Sequence, residues 1–499
     1  MIDNQIKIDK SIIKGSSWQF ASIVINSIVS ITLIAVLARL VIPEAFGVIT
    51  MANSVIIFAQ LLSEMGVEQY IIRKKEINDK ILSSVLLASI IISVLTYFLL
   101  FFAAPVISNW YNEESLTLIV RVVALTLIIS RFGKIPRAFL QREMKFKSVV
   151  IIDLISYIIG YAVVGIVLAF FGFGVWAIVI ARISQTIIQS ALLLIFHSVK
   201  FKFILSLSEL KSIFKFGFRL VVLQTINNFA NQVDYILIGR FSSSLNLAYY
   251  ERSFKIMTIP VSYIGTVFDK VLYAYFSKVQ SNEHMIIATF ESILRVIFAI
   301  AIPIQLLIYM LNSEIILIIL GEKWLNTAPI LASLSIGIVF RSSIGVMDAL
   351  VRLRGEMNKS SVVKLIYVVL LIVIVALGLQ YKDVYFVALY VNIAVFINFI
   401  LMILLSSRIN NHNHFKVLKS LVNIMLMNII PFMVLNMLLP HLSFNGLWLF
   451  INPVVVFLLY FIILLVLVLI FPKSISGDYH TLINTLKNLM KRGVNSVKE

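Results

Sequence analysis

Fourteen long apolar runs, separated by short polar breaks, constrain this chain more than any other feature. They cover 16–40, 44–65, 81–104, 116–133, 149–171, 174–196, 216–239, 249–272, 286–310, 326–350, 361–379, 384–405, 418–439 and 446–471. A helix crosses the hydrocarbon layer of a membrane with about 20 mostly apolar residues, and these runs have that length. They are continuous rather than alternating over about ten residues, which excludes a transmembrane β-barrel. The stretch 311–326 is ambiguous. With 60% apolar and 13% charged residues, against roughly 45–50% and 25% in soluble domains, the chain reads as an all-α integral membrane protein. The first run follows Lys7, Lys10 and Lys14 with no small-residue cleavage pattern, so it reads as an uncleaved first span. The absence of cysteine excludes a disulfide framework, a thiolate metal site and a cysteine nucleophile.

Net charge is +18, and its distribution sets an orientation. Thirty-two of the 42 lysines and arginines fall in the N-terminus, the even-numbered loops and the C-terminal tail. Only Arg39, Arg240, Lys323 and Lys382 fall on the other side. Cytoplasmic loops collect such residues, so both termini are expected in the cytoplasm. The opposite loops, such as 109–115, 171–174 and 441–446, are too short for a folded domain.

The sequence also repeats. A shift of 201 positions brings Lys14 onto Lys215, Asn26 onto Asn227, Ser30 onto Asn231, Arg39 onto Arg240, Gly47 onto Ala248 and Glu68 onto Asp269. An even number of spans per repeat gives parallel halves related by an axis along the membrane normal. The expected organisation is a lobe of spans one to six (1–200), a lobe of spans seven to twelve (201–410), two extra spans (411–472) and a cytoplasmic tail (473–499).

Four stretches carry a family resemblance: LARLVIPEAFGVITMA (37–52), IPRAFLQREMKFK (135–147), VVGIVLAFFGFGVWAIVIARISQTIIQSALLL (163–194), and DYILIGRFSSSLNLAYYERSFKIMTIP (234–260) running on to FSKVQ (276–280). With them the chain resembles the polysaccharide exporters of the multidrug/oligosaccharidyl-lipid/polysaccharide superfamily, in the branch holding O-antigen, colanic-acid and teichuronic-acid flippases. Ala248 and Ala274 stand where that family usually has glycine and proline. The resemblance implies two six-helix lobes plus two helices in a bacterial cytoplasmic membrane. It also implies export of an undecaprenyl-diphosphate-linked oligosaccharide, with membrane lipids and glycan-assembly proteins such as a polymerase as partners.

Charged and amide side chains inside the runs mark the candidate site. A central arginine or aspartate costs about 2.5–3.5 kcal/mol on insertion, so such residues face an interior cavity. Span seven carries Arg219, Gln224, Asn227, Asn228, Asn231, Gln232 and Asp234. Helical spacing puts Gln224, Asn227, Asn228, Asn231 and Asp234 on one face, suited either to sugar hydroxyls or to amide bonds between helices. Arg252 and Lys255 share a face of span eight and could grip a diphosphate, although Glu251 beside them also suits an interfacial ion pair. Arg295 has Glu291 one turn earlier, and Arg341 shares a face with Asp348. Arg121 and Arg182 are further cations in the first half, and Asp153 balances the basic loop before it.

Asp234, Asp269 and Asp348 are the acids placed to take up H+ or Na+ in one transport state. No G-x-x-x-x-G-K-[ST] phosphate loop is present, so no nucleotide drive is expected. Nor is another cofactor, nucleic acid or a metal. His412 and His414, in NHNH, lie in a basic loop without a third ligand at recognisable spacing. GFGVW (172–176) reads as an outer turn, and Trp18, Trp110, Tyr111, Trp324 and Trp448 as an interfacial belt. Two other functions compete. A drug exporter of the same superfamily would favour buried carboxylates. A membrane polymerase or ligase would carry a large outer catalytic loop, which this sequence lacks.

Overall fold

The computed structural model describes residues 28–74, 76–197, 206–278, 283–410, 412–442 and 446–471, with Gly477 and Tyr479. Among these residues every regular element is a helix. Among the described residues ten helices are long and apolar enough to cross a membrane, or eleven if one bent pair counts as a single span. The chain is therefore a multi-pass membrane protein. It packs into two compact units, Met1–Ala248 with Ile319–Lys323, and Tyr249–Ile318 with Trp324–Glu499.

The first unit contains α1 (Ile28–Leu40), α2 (Pro43–Glu64), α3 (Val67–Arg73), α4 (Asp79–Tyr111), α5 (Leu116–Val123), α6 (Leu125–Arg142), α7 (Phe146–Ile155), α8 (Val164–Phe170), α9 (Val175–Phe196) and α10 (Leu207–Phe241). A π-helical turn at Ser156–Val163 joins α7 to α8. Helix α10 packs on α2 and α4. Small residues let backbones approach where two apolar helices meet in lipid. A Cβ on Gly160 would stand 2.5 Å from Gln185 Cα of α9, and one on Gly217 of α10 would stand 2.1 Å from the Met65 carbonyl oxygen. Tightest is Gly47, where a Cβ would fall 1.8 Å from the Ser244 carbonyl oxygen. Both partners are backbone, so neither can rotate away. Gly47→Ala is expected to destabilise the protein by at least the about 3 kcal/mol at which ordinary overpacking ends. The measurement is its thermal unfolding midpoint in detergent. An unchanged midpoint would show that the two backbones separate freely.

The fourth apolar run ends near residue 133, yet α6 continues to Arg142. Arg131, Lys134 and Arg137 are therefore helical rather than part of a loop. The polar residues end the hydropathy signal but not the helix, because acids on neighbouring elements neutralise them.

The second unit holds most of α11 (Ser244–Lys278), then α12 (Glu283–Met310), α13 (Asn312–Ile319), α14 (Ala328–Ser335), α15 (Ile338–Leu353), α16 (Met357–Leu379), α17 (Val384–Ile409), α18 (Lys416–Leu438) and α19 (Trp448–Ile470). The run 326–350 is not one straight helix. It breaks at Ile336–Gly337 with a 50° bend between Glu322–Ser335 and Ile338–Leu353. Two expected belt residues turn inward. Trp324 is fully buried against Tyr249, and the buried Tyr111 shares a 2.9 Å hydrogen bond with Ser54. Proximity to a span end does not say which way a ring faces. Trp110 and Trp448 are exposed, and Trp18 lies outside the described residues.

Tyr479, expected in a polar tail, is buried, and its hydroxyl accepts a 2.6 Å hydrogen bond from the Asn428 amide of α18. Tyr460 of α19 donates to the same amide's oxygen at 2.8 Å. Asn428 is fully buried in an apolar helix and would be costly there without these partners.

Candidate functional site

Polar chemistry inside the first unit falls into two groups. One is a ladder of ion pairs. Arg131, 1% exposed, donates from Nε to the Leu127 carbonyl (3.1 Å), from Nη1 to the Ser63 carbonyl (3.2 Å) and from Nη2 to Ser130 Oγ (3.1 Å). Its Nη2 also lies 3.7 Å from Glu64, which Lys134 reaches at 2.8 Å. Arg137 forms a two-pronged pair with Asp153 (3.0 and 2.8 Å), lies 3.8 Å from Glu68, and Gln189 of α9 donates to Asp153 at 2.8 Å. Three cations meet three acids. The ladder fastens α2, α3, α6, α7 and α9 and leaves no net charge for an anionic ligand. The sequence placed Asp153 against the basic segment but gave no sign that Arg131 is buried.

The other group is the amide face of α10. Gln224, Asn227 and Asn231 are exposed and Asn228 is half-buried. Phe218, Val222 and Phe229 are exposed on the opposite side of the same helix. The helix thus shows an apolar and a polar flank, and lipid tolerates only the first. Asp234 lies at the buried edge of the amide face, 4% exposed, where Oδ1 accepts the Tyr235 N–H at 2.9 Å. The Arg240 guanidinium stands over the rings of Trp110 and Phe241. The side chain of Arg219 lies outside the described residues. Arg121 donates to the Phe101 carbonyl (3.1 Å) and lies over its ring, while Arg182 is exposed.

In the second unit, Arg252 and Lys255 share one buried carboxylate. Glu251 lies 3.2 Å from Arg252 Nε and 2.5 Å from Lys255 Nζ. The trio carries a single net positive charge, on a half-exposed lysine, rather than two cations open to a diphosphate. Asp348 turns to Lys364 (3.2 Å), Arg352 (3.6 Å) and the Ser360 hydroxyl. It does not join Arg341, although helical spacing puts the two on one face. The Asp269 side chain lies outside the described residues.

Arg341 differs from these. Helix α14 ends at Ser335, the chain bends at Gly337, and Arg341 sits in the first turn of α15, its N–H bonded to the Gly337 carbonyl at 3.0 Å. Its Nε and Nη2 are buried and have no hydrogen-bond partner among the described residues. The guanidinium lies 5.0 Å from the centre of the Phe254 ring. Buried donors are satisfied in the great majority of cases, so two orphans on one cation need a physical reason. The first turn of a helix also carries the positive end of its dipole, which favours anions, while the Val339 N–H of that turn is taken by Gln305 at 3.4 Å. Arg341 was one of many candidates in the sequence. The nearest sequence signal for the break is Gly337 inside an otherwise apolar span.

Arg295 lies 3.6 Å from Glu291, the pairing that their one-turn spacing allows. Two imidazoles also reach Glu291. His412 Nε2 is 3.1 Å and His414 Nδ1 is 3.3 Å from its Oε1. Burial holds the His414 imidazole below its usual pKa, with Glu291 opposing that shift.

Comparison with known proteins adds five findings. The sequence model of one family, described as "Polysaccharide biosynthesis protein", matches residues 36–329. The chain is 26% identical over 354 residues to "Teichuronic acid biosynthesis protein TuaB" of Bacillus subtilis, covering 70% of this chain and 71% of that one. It is 23% identical over 336 residues to "Lipopolysaccharide biosynthesis protein WzxC" of Escherichia coli, covering 66% and 67%. Its fold is similar to that of lipid II flippase MurJ in an inward closed conformation, with a TM-score of 0.73 at 16% identity over 90% of this chain and 98% of that one. An inward-facing multidrug resistance MATE transporter also matches, with a TM-score of 0.60 at 14% identity over 76% and 96%.

Proposed function

Because the chain belongs to the polysaccharide biosynthesis protein family, we propose that it flips an undecaprenyl-diphosphate-linked oligosaccharide across the bacterial cytoplasmic membrane for O-antigen, capsule or exopolysaccharide assembly. The observation that carries this reading is Arg341, a cation with two buried, unpartnered donors at the start of a broken helix. Broken helices in transporters commonly aim their N-terminal ends at anionic substrate groups, and a diphosphate matches a guanidinium fork. In this reading Arg341 receives the diphosphate and the α10 amides receive sugar hydroxyls.

Electrostatics favours this over export of cationic drugs. Among the described acids, Glu64, Glu251 and Asp348 are each paired with cations. The full architecture we propose has fourteen spans in two six-helix lobes plus two, with both termini cytoplasmic. The spans beyond the ten apolar helices and the bent pair are α1 with the residues before it, α10 and α11. The chain acts as a transporter rather than an enzyme, by alternating access and without a nucleotide cofactor. Other glycan-assembly proteins, such as a polymerase, are its expected partners.

Reconstitution tests this directly. Proteoliposomes containing the wild-type protein should move a short-chain polyprenyl-diphosphate oligosaccharide to the opposite leaflet, read by its accessibility to an added glycosidase. Replacing Gln224, Asn227 and Asn231 together by alanine should slow that movement by about tenfold, with unchanged abundance because the three are exposed. Three lost hydrogen bonds at about 0.5–1.5 kcal/mol each would supply such an effect. No movement with the wild type defeats the function, and normal movement in the triple variant removes the amide face from it.

Coupling to an H+ or Na+ gradient is assigned first to Asp234, the buried acid that ends the amide face. Asp234→Asn should retain substrate binding, while transport no longer responds to an imposed gradient. Unchanged gradient dependence would pass the role to Asp269. Asp348, already held by two cations, is the weaker alternative.

A further inference from the structure

A second chemistry is built elsewhere in this unit, independent of any glycan transport. Glu291 is on α12, whereas His412 and His414 are in the short connection from α17 to α18. Their ligand atoms all lie within 4.8 Å of one another. Both imidazoles address the same carboxylate oxygen, at 3.1 and 3.3 Å. Donors bound at about 2.0–2.1 Å around a tetrahedral zinc ion stand about 3.3 Å apart, so the spacing matches two edges of such a site. The other carboxylate oxygen faces Arg295 at 3.6 Å, which leaves Oε1 for an ion and orients the carboxylate from outside, as an outer-shell partner does.

The loop is held in place rather than loosely draped. The His412 N–H donates to the Ser407 carbonyl (3.1 Å) and the His414 N–H to Ser407 Oγ (3.2 Å). Arg354 anchors Asn410 at 2.9 Å and Glu283 at 2.9 Å. The His414 side chain is 1% exposed and packs edge-on against Phe290. His412, 38% exposed, leaves the cluster open to solvent on one side. Such an arrangement gives an ion an entry path and a fourth position for water.

We propose that Glu291, His412 and His414 bind one divalent transition-metal ion, with Zn2+ favoured by the two-imidazole, one-carboxylate donor set. The ion would tie α12 to the α17–α18 connection. This fixes the two C-terminal spans, which lie outside the sequence repeat, to the body of the second unit. Sequence spacing could not show it, because the third ligand stands 121 residues from His412.

The test uses the full chain, purified in detergent with a tag that contains no histidine and stripped with a chelator. The chain has no cysteine and only six histidines, so background binding is low. Titration with Zn2+ should show one saturable site, and Co2+ should give the visible absorption of a four-coordinate nitrogen and oxygen site. His412→Gln and Glu291→Gln should each weaken binding by roughly tenfold or more, and His284→Gln should not. Zn2+ should also raise the unfolding midpoint of the wild type and not that of His412→Gln, because an ion held only by the folded state stabilises it. No saturable binding to the wild type overturns the proposal whatever the variants do. Equal affinity in wild type, His412→Gln and Glu291→Gln overturns it as well, by placing the ion elsewhere.

Discussion

Arg341→Gln is expected to abolish detectable glycan transport while leaving membrane abundance unchanged. Two buried guanidinium donors lack hydrogen-bond partners among the described residues, so removing the charge breaks no hydrogen bond there and loses only the contact with the Phe254 ring. The variant should fold. What it loses are the charge-assisted bonds to a diphosphate, each worth about 1.5–3 kcal/mol. Two such bonds correspond to a factor on the order of 100 or more, since about 1.4 kcal/mol is tenfold. Arg341→Lys keeps the charge but loses the planar fork, and an intermediate rate is expected. The readouts are surface glycan in cells lacking the native gene and flipping in proteoliposomes, each normalised to protein amount. Normal transport by Arg341→Gln would detach this cation from the substrate. The orphaned donors would then need a purely structural reason.

Arg131→Met should have the opposite signature, with lost stability preceding any loss of transport. Arg131 is 1% exposed and binds two carbonyls, a hydroxyl and the Glu64 carboxylate. Removing one partner from a buried charged network costs about 3–5 kcal/mol, chiefly because the partners left behind are desolvated without compensation. Lysine should not rescue it, because one ammonium cannot reproduce three donors spread across a fork. Arg131→Met combined with Glu64→Gln should recover part of the loss, since residues in one network are coupled. Thermal unfolding of the four proteins in one detergent measures this. Strict additivity of the two single changes would show that Arg131 and Glu64 act independently.

These two arginines also mark where reading the sequence stops. Helical class, membrane embedding and the rough positions of most spans follow from length and hydropathy alone. A run of 20 apolar residues has few other stable states, because lipid requires every backbone group to be satisfied within the helix. The amide face of α10 was legible for the same reason, since helical periodicity fixes which side chains lie together. The i,i+4 pair Glu291–Arg295 was legible too. All of these properties are local in the chain.

Tertiary structure decided which charges are spent and which remain. Spacing marked Arg341 as one of several candidate cavity cations and left Arg131 among the cations of a loop. Packing fully buries Arg131 among carbonyls and beside Glu64. It hands Asp348 to Lys364 of the next helix, whereas the carboxylate that Arg252 and Lys255 share is Glu251 of their own helix, one of the two readings the sequence allowed. Packing also breaks the run 326–350 at Gly337, which places Arg341 at a helix start with donors to spare, and it brings Glu291 to His412 and His414 across a gap of 121 residues. A charge pair is settled over a few ångströms of space. Hydropathy and spacing report only distances along the chain, so pairing between helices became visible only once the helices were packed.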